Sequence, residues 1–315
     1  MRISEDAMLR PQTLEEYNGQ DHIKKALSLY MKAAKMRKEP LDHTIISGPS
    51  GLGKTTLANI IANTMGGYLK VVAAPAIKTV DDLTNILMGL EPGSILFVDE
   101  IHRLSMKIEE VLYLAMEDFT FEVKTGEESI TTRLPKFTLL GATTQYGVLS
   151  EPLRNRFAIV VELQPYEEEA LADILMRSAT IIGTSIDYDS AENIAKRSRG
   201  VPRIANGFLR RARDMALVEN NNDIDLQVVY DTFEMLSIDE YGMTAQDRRY
   251  LQALYNKHFG PVGLSTLCSI LNEDVKTIEE AIEPYLMKMG YVEKTARGRV
   301  LTQLGYNVYV GDSEE

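Results

Sequence analysis

The chain has 315 residues, 44% of them hydrophobic and 25% charged, and a formal net charge of −12. That is the composition of a globular protein of two or three domains, and it excludes a chain disordered throughout. So negative a charge argues against a protein that coats nucleic acid nonspecifically, which needs many cation–phosphate contacts.

A single cysteine, Cys268, excludes an intrachain disulfide, and four histidines offer few zinc ligands. The N-terminus lacks the apolar stretch of a secretory leader, and no apolar run approaches the ~20 residues of a membrane helix. A cytoplasmic protein with no membrane contact is expected.

In chain order, residues 1–20 are polar. Ile23, Ala26, Leu27, Tyr30 and Ala33 then recur at helical spacing, predicting a helix over 21–36. His43 to Ser47 is β-rich and runs into Gly48-Pro49-Ser50-Gly51, after which a helix is predicted from Lys54 to about Met65. Ile95-Leu96-Phe97-Val98 is an unbroken apolar run, the signature of a strand buried on both faces, and Phe137 to Gly141 is another. Strands alternating with helices predict a doubly wound α/β domain. Phe119–Val123 and Ser129–Leu134 flank Thr125-Gly126-Glu127-Glu128 and alternate like a hairpin, an antiparallel insertion near 119–134. Residues 167–238 show helical periodicity and no strand run. Residues 240–310 offer helices near 244–256, 262–271 and 275–289. Two β-like runs, 291–294 and 299–302, follow around Ala296-Arg297-Gly298, and three helices with a hairpin are the plan of a winged helix. On the last predicted helix Ile278, Ile282, Leu286 and Met289 read as core. Its Glu279, Glu280 and Glu283 disfavour reading of a DNA groove and leave the hairpin as the DNA element. Asp312 to Glu315 reads as a frayed acidic tail.

Gly48-Pro49-Ser50-Gly51-Leu52-Gly53-Lys54-Thr55 matches G-x-x-x-x-G-K-[ST] between a strand and a helix. Glycines let backbone N–H groups curl around phosphate oxygens, and the helix start presents its positive dipole end to them. Lys54 is expected to reach the β- and γ-phosphates of ATP, and Thr55 to bind Mg²⁺. Asp99-Glu100 ends the 95–98 strand, so Asp99 suits the metal's water shell and Glu100 the polarisation of the attacking water. An acidic pair there would also suit plain solvation. Thr143 and Thr144 end the next strand, placed to sense a γ-phosphate or to cap a helix. Arg154 and Arg156 form either a finger for transition-state charge or a surface pair.

These residues, with Asp99-Glu100-Ile101-His102-Arg103-Leu104, Gly141-Ala142-Thr143-Thr144, Pro202-Arg203-Ile204-Ala205-Asn206 and Gly260-Pro261-Val262-Gly263-Leu264, resemble the RuvB family of AAA+ branch-migration motors. The resemblance runs from Arg10-Pro11 through the wing. It implies an α/β AAA+ P-loop domain (1–165), a small helical lid domain (166–239) and a C-terminal winged-helix domain (240–315). It also implies a homo-hexameric ring on duplex DNA that hydrolyses ATP between subunits, migrates Holliday junctions and docks on a RuvA-like partner through the hairpin.

Position by position, the resemblance puts Leu9, Arg10 and Tyr17 by the adenine. Gly48, Gly51, Gly53, Lys54, Thr55 and Thr56 lie around the phosphates and Mg²⁺. Thr144 becomes a sensor, Arg156 the finger into the neighbouring site, Tyr166 a nucleotide-side boundary residue and Arg203 a second sensor. Glu117, Asp118 and Phe119 form a nucleotide-adjacent stretch, and Lys294, Arg297 and Arg299 contact DNA. The chain departs from the family at Ser50 (usually Pro), Gln145 and Gly207 (usually Arg). Its hairpin is shorter and more polar, with Ile130 and Leu134 the aliphatic candidates in the second arm. A clamp-loader or protein-remodelling AAA+ ATPase shares the nucleotide residues but does not predict the winged helix. A DNA-binding regulator with a vestigial ATP fold does not predict so complete a nucleotide set.

Overall fold

The structure, a computed structural model, describes residues 5–125, 128–219, 222–257 and 260–311, and their side chains except those of 122–125 and 128–130. The chain forms two units: residues 1–183 with 200–207, and residues 184–199 with 208–315.

The first unit starts with a short helix, α1 (Glu5–Met8), and then α2 (Asp21–Arg37), which buries Leu27, Met31 and Ala34 along one stripe. Five parallel strands follow in the order β2-β3-β6-β1-β7: β1 (Thr44–Ser47), β2 (Leu69–Ala73), β3 (Ile95–Asp99), β6 (Thr138–Thr143) and β7 (Ile159–Glu162). Every residue of β1 and β6, and Ile95 to Val98 of β3, is buried, because helices cover both faces of the central strands. Edge strands β2 and β7 are only partly buried; β7 lies in the apolar run Phe157-Ala158-Ile159-Val160-Val161, which the sequence expectations did not take up.

Helix α3 (Lys54–Met65) follows β1 and ends at Gly66, whose φ of +74° suits glycine. Helix α4 (Val80–Met88) opens with a Thr79/Asp82 capping box, and α5 (Met106–Asp118) follows β3. The predicted hairpin is β4 (Thr120–Thr125) paired with β5 (Glu128–Arg133), with Thr120 opposite Arg133. Its turn at 126–127 and the Ile130 side chain lie outside the described residues. Leu134 is buried in the sheet-side core with Phe121 and Phe137, so it is not a docking side chain as the sequence suggested. Helices α6 (Glu151–Arg154) and α7 (Glu168–Ile182) complete the unit.

The second unit holds β8 (Ser185–Ile186), α8 (Tyr188–Arg197), β9 (Asp223–Ile224) and α10 (Leu226–Leu236), while α9 (Pro202–Glu219) begins in the first unit and ends here. β8 and β9 pair in parallel, two residues each, where the sequence showed no strand: a ladder this short carries no periodicity. The winged helix is α11 (Ala245–Tyr255), α12 (Leu264–Leu271), α13 (Val275–Thr277), a π-turn (Ile278–Ile282) and α14 (Glu283–Lys288), then β10 (Val292–Thr295) against β11 (Gly298–Leu301). The π-turn interrupts the helix predicted over 275–289 just before Pro284, whose missing N–H breaks the regular ladder. Val262 bridges Arg299 and adds a third strand position. Helix α15 (Gln303–Gly311) closes the unit and was not predicted, and the acidic tail 312–315 lies outside the described residues. Ile278, Ile282 and Leu286 join Tyr250, Leu254 and Leu267 in the core as expected. Met289 does not, being 40% exposed after the helix has ended.

Candidate nucleotide site and basic hairpin

The loop between β1 and α3 is built on glycines that no other residue replaces. Gly48 has φ +141°, and a Cβ there would meet the Leu163 carbonyl oxygen at 2.7 Å. Gly51 has φ +86°, and a Cβ there would meet Val201 Cγ1 at 2.7 Å and Arg203 Cβ at 3.1 Å. The loop therefore lies directly under the Val201–Arg203 segment. Gly53, at φ +101°, is the N-cap of α3 and brings no capping side chain, so the first-turn amides from Lys54 to Thr56 face the loop as an anion cradle.

Lys54 folds back into this cradle, donating to the carbonyls of Gly48 at 2.8 Å and Pro49 at 3.1 Å. Burial pulls its ammonium below the ordinary lysine range. Glu100 and Asp99 pull the other way, and Arg203 adds to the lowering. All four charges thus act on one another at the C-terminal edge of the sheet, the end where ligands bind in open α/β folds. Arg203 also donates to Ser50 Oγ at 3.3 Å, a bond the family's proline could not make.

Tyr17 and Tyr166 close another side. Tyr166 Oη donates to the Leu52 carbonyl at 3.4 Å, and Gly19 gives its ring room. Tyr17 is buried, and its Oη lies 3.3 Å from where a Gly53 Cβ would stand and interacts with the Tyr166 phenol. Burial pushes the Tyr17 phenol up to about 12. Leu9 is buried, its carbonyl accepts from Arg177 Nη1 at 2.9 Å, and Arg10 follows it.

The strand ends supply the acids. Asp99 Oδ1 accepts the Glu100 N–H at 3.1 Å. Glu100 Oε2 accepts from Thr144 Oγ1 at 3.1 Å, so Thr144 is not a helix cap here. His102, quoted in the sequence only as part of a signature, is the residue sequence reasoning missed. Its Nδ1 lies 3.3 Å from Glu100 Oε2 and 2.9 Å from Thr143 Oγ1.

Arg156 is not gathered here. It ion-pairs with Glu117 at 2.5 Å, at the opposite end of β1 from the glycine loop. The intervening contacts fix that placement: His43, just before β1, bonds the Met116 carbonyl at 3.1 Å, and its ring lies near those of Phe119 and Phe137. The four residues of β1 separate the two ends by about 13 Å. Glu117, Asp118, Phe119 and Arg156 therefore form one group that cannot share a phosphate with Lys54 of the same chain.

Matches to family models cover nearly the whole chain: the Holliday junction DNA helicase RuvB P-loop domain over residues 9–163, the RuvB AAA lid domain over 166–239 and the RuvB C-terminal winged helix domain over 240–310. The chain belongs to the RuvB family. It is 47% identical over 309 residues to the Holliday junction branch migration complex subunit RuvB of Bdellovibrio bacteriovorus, covering 96% of this chain and 94% of that protein. The solved Thermotoga maritima RuvB Holliday junction branch migration motor superposes with a TM-score of 0.85 at 43% identity, over 96% of this chain and 98% of that one. A point mutant of the same Thermotoga maritima protein gives 0.86 at 43% identity, over 95% and 97%.

In this RuvB-family chain the three wing cations differ in environment. Arg297 is exposed at the hairpin turn, and Lys294 is exposed and pairs with Glu279 at 3.2 Å. Arg299 is only 6% exposed, donating to both oxygens of Glu283 at 2.7 and 3.2 Å and to Glu279 at 2.8 Å. Its Nε and Nη2 are engaged inside the wing, whereas Lys294 and Arg297 stay exposed. Glu283, 3% exposed and bonded to Tyr250 Oη at 2.8 Å, is likewise no surface acid. Among the described residues no helix is long and apolar enough to cross a membrane.

Proposed function

We propose that this chain hydrolyses ATP to drive branch migration of Holliday junctions, as a homo-hexameric ring on duplex DNA working with a RuvA-like partner. The observation that carries this reading is the split between Lys54, Asp99, Glu100, Thr144 and Arg203 at one end of the sheet and Arg156 at the other. Half of a hydrolytic site lies at each end, so a site becomes complete only where two subunits meet.

In this reading the loop amides and Lys54 grip the phosphates, with Leu9, Arg10, Tyr17 and Tyr166 around the base and sugar. The Thr55 hydroxyl and, through the ion's water shell, Asp99 would hold Mg²⁺, which would supply neutralisation of phosphate charge. Among the described residues there is no cluster of three or more acids, histidines or cysteines to form a separate protein-only metal cage. Glu100 orients and deprotonates the attacking water, Thr144 and Arg203 read the γ-phosphate, and a neighbour's Arg156 stabilises the transition state. Loss of the γ-phosphate removes charge-assisted bonds to both arginines, and that change is passed to the lid and the wing. Arg297 and Lys294 then act on the DNA backbone, which carries no sequence information and suits a motor that runs over any sequence. We divide the chain at 165/166 and 239/240, guided by the family-model ranges, and assign it to the cytoplasm. Docking of the RuvA-like partner is assigned to the 119–134 hairpin.

The test is ATP-dependent branch migration of a synthetic four-way junction, with and without the partner. Migration with ATP and none with Glu100→Gln, which still binds ATP, is the expected result. Wild-type chain that neither turns over ATP nor moves the junction with the partner present overturns the reading.

A further inference from the structure

Glu100 takes a left-handed backbone, φ +53° and ψ +45°, uncommon for a residue with a Cβ. Its carboxylate is held by two layers of hydrogen bonds from the end of β6 and the residue after it. Thr144 donates directly to Glu100 Oε2 at 3.1 Å. Thr143, fully buried, accepts the Gln145 N–H at 2.9 Å and lies 2.9 Å from His102 Nδ1, which is itself 3.3 Å from the same Oε2. A carboxylate oxygen repels a bare nitrogen lone pair, so Nδ1 carries the hydrogen and shares it between the hydroxyl and the carboxylate. The imidazole side chain is only 11% exposed. Its ring is thus pinned by a buried hydroxyl and presents a fixed donor to Glu100.

We infer that His102 is a positioning residue for ATP hydrolysis: through Nδ1 it anchors Glu100 Oε2 to β6 and leaves Oε1 for the attacking water. The inference rests on the reading of Glu100 as the hydrolytic base. Binding of ATP does not use this contact, whereas turnover does, because a base displaced by about 1 Å costs about 10²-fold in rate.

Asparagine and glutamine separate this role from simple packing. An asparagine amide nitrogen falls near the position of Nδ1, and a glutamine amide nitrogen near that of Nε2. In the full chain, His102→Ala should lower kcat for ATP about 100-fold and leave KM within about twofold. His102→Asn should recover most of the lost rate and His102→Gln should not. Equal rates for Asn and Gln, or kcat, KM and melting temperature all moving together, would overturn the inference. That Asn–Gln comparison stands even if the alanine variant fails to fold. Glu100→Gln is run alongside. If it retains turnover, the base reading itself is wrong. If it is inactive while His102→Ala keeps the wild-type rate, only the inference about His102 fails.

Discussion

Replacing Arg299 with alanine removes its bonds to Glu283 Oε1 at 2.7 Å, Glu283 Oε2 at 3.2 Å and Glu279 Oε1 at 2.8 Å in one step. Glu283, 3% exposed, then keeps its Tyr250 hydrogen bond but loses its counter-charge. Stranding a buried charge in this way costs about 3–5 kcal/mol. Native-state hydrogen exchange on the full chain should report it locally. Amides of β10, β11 and α14 should exchange roughly 10²- to 10⁴-fold faster, while those of β1, β3 and β6 stay unchanged. A double replacement, Arg299→Met with Glu283→Met, should recover most of the protection, because a well-packed apolar pair avoids the desolvation cost. DNA binding gives the opposite control. Arg297→Ala should reduce the slope of log affinity against log salt by about 0.9, the signature of one lost phosphate contact. Arg299→Ala, measured where the wing is folded, should leave that slope alone. Unchanged wing protection in Arg299→Ala, with a salt slope reduced as in Arg297→Ala, would refute the assignment of Arg299 as an internal strut.

Three further outcomes follow from the geometry. Arg156→Ala and Lys54→Ala should each be inactive alone, a finger arginine being worth about 10³–10⁵ in rate. Mixed rings should regain turnover, because an Arg156 from one subunit meets an intact Lys54 in the next; no recovery in mixtures would place the two residues in one subunit's site. Gly48→Ala should cost about 1–3 kcal/mol and weaken ATP binding, as its Cβ would meet the Leu163 carbonyl at 2.7 Å with φ at +141°; unaltered nucleotide affinity would count against the tight-loop argument. Burial holds His43 below the ordinary histidine range, its Nδ1 accepts from Leu139 N–H at 2.8 Å and its Nε2 faces the Met116 carbonyl. A depressed folded value means stability is present above the unfolded value of about 6.5 and lost as pH falls through the folded one. Melting temperature should therefore drop on acidification below about pH 6.5, more shallowly in His43→Asn; equal slopes would exclude His43 as a source.

Local chemistry was legible in the chain wherever it is written by contiguous residues. The glycine loop, the helix from Lys54 to Met65 and the buried strands ending in Asp99 and Thr143 follow from spacing, turn chemistry and unbroken apolar runs. Strands β2, β8 and β9 and helix α15 were not legible, because a partly exposed edge strand, two-residue ladders and a short terminal helix carry little periodicity, whereas the apolar run of β7 went unread. What only the tertiary structure decided is which charges meet. Sequence distance put Arg299 with Lys294 and Arg297 as one basic set, but packing turned it inward onto Glu283. It joined Ser50 to Arg203 across 153 positions, and His102 to Thr143 across 41. It also set Arg156 beside Glu117 at the far end of β1 from Lys54. Residue type and spacing record what a side chain can do; its partners depend on long-range closure of the chain, which no local pattern encodes.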